Sequence, residues 1–114
     1  MTNSAAMNVR AAQGAGIIDI TGDLTSTSDA MLSDAYTRAS ERADVVVLNF
    51  EGMEYMNSSG IGLLVTLLIR ANRQKKRLAI CGLSDHYRHI FQITRLDDAI
   101  AIYGTEADAL GAAA

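Results

Sequence analysis

The chain lacks proline and tryptophan altogether and has a single cysteine, Cys81, among its 114 residues. A lone cysteine excludes an internal disulfide and any metal cluster that needs several thiols, and it is typical of a reducing compartment. Because proline is absent, the strongest turn marker is missing, and glycine, serine and aspartate must mark the ends of helices and strands. The predicted boundaries are correspondingly soft.

A strong charge of either sign and long hydrophobic runs are also missing. The formal net charge of −3 gives no general attraction to nucleic acid or to an anionic membrane. No apolar run approaches the ~20 residues that span a bilayer. Residues 1–6 lack the basic and apolar segments of a signal peptide. We therefore expect a cytoplasmic protein with no direct nucleic-acid contact and no membrane insertion.

The composition is that of an ordinary globular protein, with 49% hydrophobic and 20% charged residues. A chain of this length can bury one core, but it is too short for a catalytic domain plus a substrate domain. The sequence therefore predicts a single domain over residues 1–114.

Periodicity predicts two strands at the start of the chain. Residues 7–11 alternate weakly, Gln13 and Gly14 mark a turn, and residues 17–20 are mostly apolar. Hydroxyl residues at 25–28 then begin a helix that runs to about Arg42. Residues 45–48 form a short β-branched run that is apolar on both faces. We expect this run to be a central strand covered on both sides.

The second half of the chain alternates helices and strands. We expect a helix over residues 61–69, a strand over 78–81, a third helix capped by Ser84, a strand over 100–103 and a closing helix over 106–110. The order is therefore β-β-α-β-α-β-α-β-α. It predicts an α/β fold with a mixed, largely parallel five-stranded sheet, right-handed crossovers and helices packed against it.

The most informative segment spans residues 56–64, where two hydroxyls and two glycines precede an apolar helical run. A serine at a helix start faces unpaired backbone N–H groups and the positive end of the helix dipole, where a phosphate is well accommodated. The segment therefore indicates phosphorylation of Ser58 rather than catalysis. A second interpretation stays open from these residues alone, because Asn-Ser-Ser before a helix is often only a cap.

The order of elements, together with four short motifs, resembles the STAS domain of anti-sigma-factor antagonists. The similarity covers nearly the whole chain. Its motifs are Ile20-Thr21-Gly22-Asp23-Leu24, Tyr55-Met56-Asn57-Ser58-Ser59-Gly60-Ile61-Gly62, Cys81-Gly82-Leu83 and Arg88-His89-Ile90-Phe91-Gln92-Ile93-Thr94-Arg95-Leu96.

The resemblance implies partner switching. In that family the first serine of the motif is phosphorylated by an anti-sigma factor that is itself a serine kinase, which assigns the phosphosite to Ser58 and makes Ser59 its neighbour. The unphosphorylated antagonist binds the anti-sigma factor and frees the sigma factor, and a PP2C-type phosphatase restores that form. The chain departs from the family pattern at Asn57, where aspartate is usual, at Arg95, where glycine is common, and at Thr25, where aspartate is frequent.

We expect the partner to dock around Ser58. Glycines let another backbone approach closely, acidic side chains meet basic residues of a partner, and an amide beside Ser58 keeps the helix cap while removing one charge. Met56, with Met53 and Tyr55, fits either an adaptable apolar rim or the core. The expected partner-binding residues are Asp23, Glu54, Met56, Asn57, Ser59, Gly60 and Gly62.

Two alternative functions remain. A STAS module can control a different output, such as secretion, polysaccharide synthesis or membrane transport, through the same face. A small hydrolase or nucleotide-binding enzyme fits less well: no G-x-S-x-G elbow surrounds Ser58, and the third glycine position of a nucleotide loop holds Val65. We expect no enzymatic activity, no cofactor and no metal, a buried Cys81, and surface positions for His86 and His89. We interpret the basic residues within 70–77 as a solvated helix end.

Overall fold

Five strands and five helices lie within residues 4–113, the part of the chain that the computed structural model describes. The ends of the predicted domain, residues 1–3 and 114, lie outside the described part. A 3-10 turn, Ser26–Ser28, precedes the first helix. The elements are β1 (Ala6–Ala12), β2 (Ala15–Leu24), α1 (Asp29–Ser40), β3 (Val45–Met56), α2 (Ser58–Arg73), β4 (Arg77–Cys81), α3 (Asp85–Ile93), α4 (Leu96–Ala99), β5 (Ala101–Tyr103) and α5 (Glu106–Ala113).

The strands form one sheet in the order β1-β2-β3-β4-β5. β1 is antiparallel to β2, and every other neighbouring pair is parallel. The predicted mixed sheet is therefore confirmed, with β3 at its centre. Because each crossover moves one strand along in the same direction, right-handed connections place α1, α2 and α3 on one face. We call this the front face and the opposite one the back face.

The first two strands form a tight hairpin. Ala12 pairs with Ala15, and the two turn residues have positive φ angles of 50° at Gln13 and 80° at Gly14. Positive φ at both central positions is typical of the type I′ turn, whose twist matches that of the flanking strands. The hairpin predicted from Gln13 and Gly14 is confirmed.

The core has two unequal parts. On the front face, Tyr36 of α1, Leu64 of α2 and Phe91 of α3 are fully buried against apolar side chains of the central strands. The back face holds a smaller cluster, in which α5 contributes Ala109 and Leu110. The front of the sheet is thus covered by three helices and the back by one helix of eight residues.

Several boundaries differ from the prediction. β3 runs on to Met56, well beyond residue 48, because its polar second half pairs with residues 21–24 of β2. α1 ends at Ser40, two residues early, where Lys76 Nζ donates to the Ser40 carbonyl at 3.0 Å. The predicted order also omitted α4, which is too short to show periodicity. It follows Arg95, whose φ of 60° ends α3 in the left-handed region.

No helix within residues 4–113 is long and apolar enough to cross a membrane.

Candidate functional site

Ser58 is the first residue of α2, and only Asn57 separates it from the end of β3. Asn57 is the N-cap: its backbone is extended, and its Oδ1 accepts a hydrogen bond from the Gly60 N–H at 2.9 Å. The Asn57 carbonyl accepts from the Ile61 N–H at 3.1 Å. The amide at position 57 therefore keeps the capping geometry expected from the sequence.

The strand end that leads to Ser58 is anchored on two sides. The Met56 N–H donates to Tyr87 Oη of α3 at 2.8 Å, and this bond is buried. The Asn57 N–H donates to the Leu24 carbonyl of β2 at 3.4 Å. Met56 itself is only 4% exposed and belongs to the front core. The Met56 side chain therefore packs beneath the junction of β3 and α2 and does not lie on the exposed surface.

The two glycines of the motif have different surroundings. Gly60 is buried, and a Cβ placed there would lie 2.3 Å from the Leu24 carbonyl oxygen. Gly62 is exposed, and a Cβ there would meet nothing within 4 Å. Gly60 is needed so that α2 can approach β2 closely, whereas Gly62 leaves an open surface on the first turns of α2.

Ser58 and Ser59 are both exposed on the first turn of α2. This turn contains no acidic residue, so no side chain of the turn offsets the positive end of the helix dipole. The backbone N–H groups of the first two helical residues have no partner within a helix. Ser58 is thus an accessible hydroxyl at a position that favours an added anion.

Two acidic residues lie beside this helix start. Asp23 of β2 neighbours Tyr55 of β3 in the parallel register, and Glu54 is exposed one residue earlier on β3. Tyr55 is 49% exposed, the only large apolar side chain of the segment with so much open surface. The structure therefore brings Asp23, Glu54 and Tyr55 to the same end of the sheet as Ser58.

A polar network on the back face was not anticipated from the sequence. Arg10 of β1 donates to both carboxylate oxygens of Asp19 in β2, at 2.7 and 3.0 Å, and also to Glu106 of α5. Asn49 of β3 donates to Asp19 at 2.9 Å. The bonds from Arg10 lower the pKa of Asp19 to about 2. The only sequence signals for this network are Arg10, the one charge in β1, and Asp19, a charge within the apolar residues 17–20 of β2.

Cys81 lies at the edge of this network. Its side chain is fully buried, as predicted, and its Sγ is 3.7 Å from Asn49 Oδ1. Burial raises the pKa of the thiol to about 11, so it is protonated at neutral pH. A buried thiol of this kind is not a nucleophile.

The basic cluster at the end of α2 contacts α1. Arg70 donates to Thr37 Oγ1 at 2.7 Å, and its guanidinium lies 4.7 Å from the ring centre of Tyr36. Lys76 Nζ donates to the carbonyls of Ser40 and Ala43, each at 3.0 Å. The prediction of a solvated helix end therefore holds for Arg73, Lys75 and Arg77, which are exposed, whereas Arg70 and Lys76 are half-buried against α1 and the residues after it.

The histidines are exposed on α3, also as predicted. Across residues 4–113 no three side chains of histidine, cysteine, aspartate or glutamate are grouped so as to hold a metal ion.

Relatives of the chain include the anti-sigma-B factor antagonist of Staphylococcus aureus, which is 39% identical over 64 residues. The match covers 55% of this chain and 59% of that protein, so it spans less than two thirds of the relative's length.

Solved structures share the fold over nearly the full chain. An anti-sigma factor antagonist from Mycobacterium paratuberculosis superimposes with a TM-score of 0.79 at 18% identity, covering 96% of this chain and 93% of that one. The phosphorylated form of the Bacillus cell fate determinant SpoIIAA gives a TM-score of 0.67 at 22% identity, covering 96% and 100%. At these identities the likeness concerns the fold.

The sequence pattern that defines the STAS domain matches residues 6–109, from β1 into α5. It covers the hairpin, the capped start of α2 and the crossovers described above, and thus most of the chain. The protein therefore belongs to the STAS domain family.

Proposed function

We propose that this protein is an anti-sigma-factor antagonist that works by partner switching in the cytoplasm. Its unphosphorylated form binds a serine-kinase anti-sigma factor and releases the sigma factor, phosphorylation of Ser58 ends that binding, and a PP2C-type phosphatase restores it. The observation that supports this most directly is the exposed Ser58 hydroxyl on a capped, acid-free helix start. Membership of the STAS family and the named relatives support the same reading.

The docking surface we propose consists of the exposed or half-exposed residues around that helix start, with Met56 and Gly60 supporting it from the buried side. Open space at Gly62 lets a partner backbone approach α2. Tyr55 offers an apolar contact, and Asp23 and Glu54 give the surface an acidic side. The surface residues are Asp23, Glu54, Tyr55, Asn57, Ser58, Ser59 and Gly62.

The switch follows from electrostatics and desolvation. A phosphate adds about −1.5 to −2 charges at Ser58. The helix start of the free protein accommodates that charge, since water and backbone N–H groups surround it. A partner packed against the same place must strip the phosphate of water and meets an added charge. A loss of ~3 kcal/mol of binding free energy lowers the affinity more than a hundredfold, which is enough to dissociate a complex of micromolar affinity.

The first test is incubation with ATP and each serine-kinase anti-sigma factor of the source cell, followed by peptide mass spectrometry. We expect one phosphate, on Ser58, from the cognate kinase. Phosphate on Ser59 or on another residue would contradict the assigned site. No modification by any kinase would contradict the sigma-factor pathway and favour a STAS module with another output.

Binding measurements on variants test the switch itself. We expect Ser58→Ala to bind the anti-sigma factor as the unphosphorylated protein does, with or without ATP. Ser58→Asp should bind more weakly, because a carboxylate places a charge at the docked surface. Ser59→Ala is the matched control, one residue away on the same exposed turn, and we expect a milder effect. Equal affinity of the Ser58→Ala and Ser58→Asp variants would remove Ser58 from the switch.

The acidic side of the surface has its own test. Glu54→Lys reverses an exposed charge beside the helix start, and we expect it to slow association and weaken binding about tenfold. Asp97→Lys, an exposed reversal on α4, is the control and should leave affinity unchanged. Unchanged affinity in Glu54→Lys as well would show that Glu54 lies outside the interface.

A further inference from the structure

β1 forms one edge of the sheet, and half of its backbone groups point away from the protein. In a two-residue hairpin the pair that flanks the turn is hydrogen-bonded, and bonded and non-bonded pairs then alternate. The flanking pair is Ala12–Ala15, so Asn8 and Arg10 direct their N–H and C=O groups toward β2. Met7, Val9 and Ala11 therefore direct theirs outward.

Among the residues that the structure describes, this edge lacks most of the devices that usually protect an exposed strand. Natural edge strands carry proline, outward lysines or bulges, or are very short. β1 has seven residues, no proline and no bulge in its pairing with β2. Its one charged residue, Arg10, is held across the back face by Asp19 and Glu106 and is not free to repel another strand. The opposite edge, β5, has only three residues.

A cleft of about 320 Å³ lies next to this edge on the front face. Val9, Ala11 and Gly16 line it from the hairpin, and Ala39 and Ala43 line it from the end of α1 and the residues beyond. The cleft is mainly apolar, while charged side chains of Arg38, Glu41 and Arg42 stand around it.

We propose that β1 and this cleft form an interface with a second copy of the same chain. The two β1 strands pair antiparallel about a two-fold axis at Val9, so that Met7, Val9 and Ala11 of one copy bond to Ala11, Val9 and Met7 of the other. Every outward backbone group of these residues then has a partner. The sheet continues through both copies as one sheet.

The side chains fit the same register. Directly opposed residues of an antiparallel pair point to the same face. Met7 of one copy lies opposite Ala11 of the other, on the front face, and is therefore next to the cleft that Ala11 lines. On the back face Arg10 lies opposite Asn8, so no like charges oppose each other. The backbone register, together with the apolar Met7 placed beside the apolar cleft of the other copy, is what makes a second copy the occupant we propose.

The pairing leaves Ser58 accessible and is independent of the function proposed above. Val9 is in register with Ile18 of β2, and Leu24, six residues further along β2, is in register with Met56 at the end of β3. At 3.3 Å per residue this places the start of α2 about 20 Å along the strand direction from the level of the two-fold axis. A seven-residue strand gives an interface at the small end of the known range, so we expect a concentration-dependent dimer with a dissociation constant in the micromolar range or above.

Sedimentation velocity between ~10 μM and ~1 mM tests the proposal over the range in which small interfaces form. We expect a shift from monomer to dimer. Ala11→Glu should abolish the shift, because it places a charge against the apolar Met7 of the other copy. Ala30→Glu, the same change at an exposed position at the start of α1, is the matched control and should dimerise like the natural chain.

Amide hydrogen exchange gives a second readout that a fold defect would not mimic. We expect the amides of Val9 and Ala11 to exchange fast at low concentration and slowly at high concentration, while Asn8 and Arg10 stay protected throughout. A monomer at every concentration overturns the proposal. A dimer that persists in Ala11→Glu, or that leaves the Val9 amide unprotected, assigns the interface elsewhere and overturns it equally.

Discussion

Gly60 and Gly62 stand two residues apart, yet the same substitution should have opposite effects at the two positions. Gly60→Ala would push a methyl group to 2.3 Å from the Leu24 carbonyl, and we expect it to destabilise the fold by about 2–3 kcal/mol. Gly62→Ala meets open space in a helix, and we expect it to stabilise the free protein by about 0.5–1 kcal/mol. Urea unfolding of both variants measures these free energies.

The same two variants distinguish an effect on folding stability from an effect on partner binding. If a partner backbone approaches α2 at Gly62, the alanine there should weaken anti-sigma-factor binding while it strengthens the fold. A loss of stability in Gly62→Ala, or none in Gly60→Ala, would contradict the packing described for this turn.

Asp19 makes stability depend on pH in the acid range. Its pKa is lowered from 3.8 to about 2 in the folded state by the hydrogen bonds from Arg10. A carboxylate with a depressed folded pKa contributes stability above its unfolded pKa, and that contribution is lost as pH falls toward 2. Because the pair is partly exposed, we expect about 1–2 kcal/mol from it.

The Asp19→Asn variant isolates that contribution. We expect it to be less stable than the natural chain at pH 7 by this amount, and the difference to vanish as pH falls from about 4 to 2. Urea unfolding of both proteins at several pH values measures it. Asp34→Asn, which removes an exposed ion pair with Arg38 within α1, is the control. A difference that stayed constant down to pH 2 would show that the carboxylate charge is not the cause.

At the scale of the element, α2 depends on its cap. Asn57→Ala removes the acceptor for the Gly60 N–H, and we expect a loss of about 1 kcal/mol of folding stability. Asn57→Asp keeps the acceptor and adds a negative charge at the helix start, which should stabilise the free protein by about 0.5 kcal/mol. Thermal unfolding distinguishes the two outcomes. Equal stabilities of the alanine and aspartate variants would show that the cap contributes nothing.

Much of the element order follows from sequence periodicity. The apolar run before residue 49 and the Gln13–Gly14 turn are local signals, and the strands they predicted are present. The second half of β3 gave no such signal, because residues 51–55 are exposed or half-exposed and are held by pairing with a distant segment of β2. α4 has four residues, too few for any period to show.

The candidate site was predictable to the extent that it is local. Asn57 and Ser58 are neighbours in sequence, so a helix start could be identified from them. The different roles of Gly60, which packs against β2, and Gly62, which is open to solvent, were not predictable, because they depend on how close Leu24 lies to α2. The hydrogen bond from the Met56 N–H to Tyr87, 31 residues away, could likewise not be predicted from the sequence.

At the scale of the whole molecule, the thin covering of the back face predicts that the structure opens locally at α5. Cys81 lies under α5, and Arg10 ties that helix to the sheet through Glu106. We expect Arg10→Ala to make the buried thiol react with a disulfide reagent about tenfold faster, because α5 then lifts more often. Thiol-labelling rates under native conditions at pH 8 measure this opening.

The control for this labelling experiment is Arg38→Ala, which breaks an exposed ion pair on α1 and leaves α5 untouched. Its labelling rate should match that of the natural chain. Equal rates in the Arg10→Ala variant would show that Arg10 does not hold α5 in place.

The anchored end of β3 also bears on how fast a partner can be captured. Bonds to Tyr87 and Leu24 fix the two residues before Ser58 in the free protein. A surface that already has its bound shape loses little conformational entropy when it docks. Diffusion and orientation then limit the association rate constant to about 10⁵–10⁷ M⁻¹s⁻¹, and no slower folding step is needed. Under the switching proposed above, the response time is therefore set by the enzymes that add and remove the phosphate, and not by a conformational change of this protein.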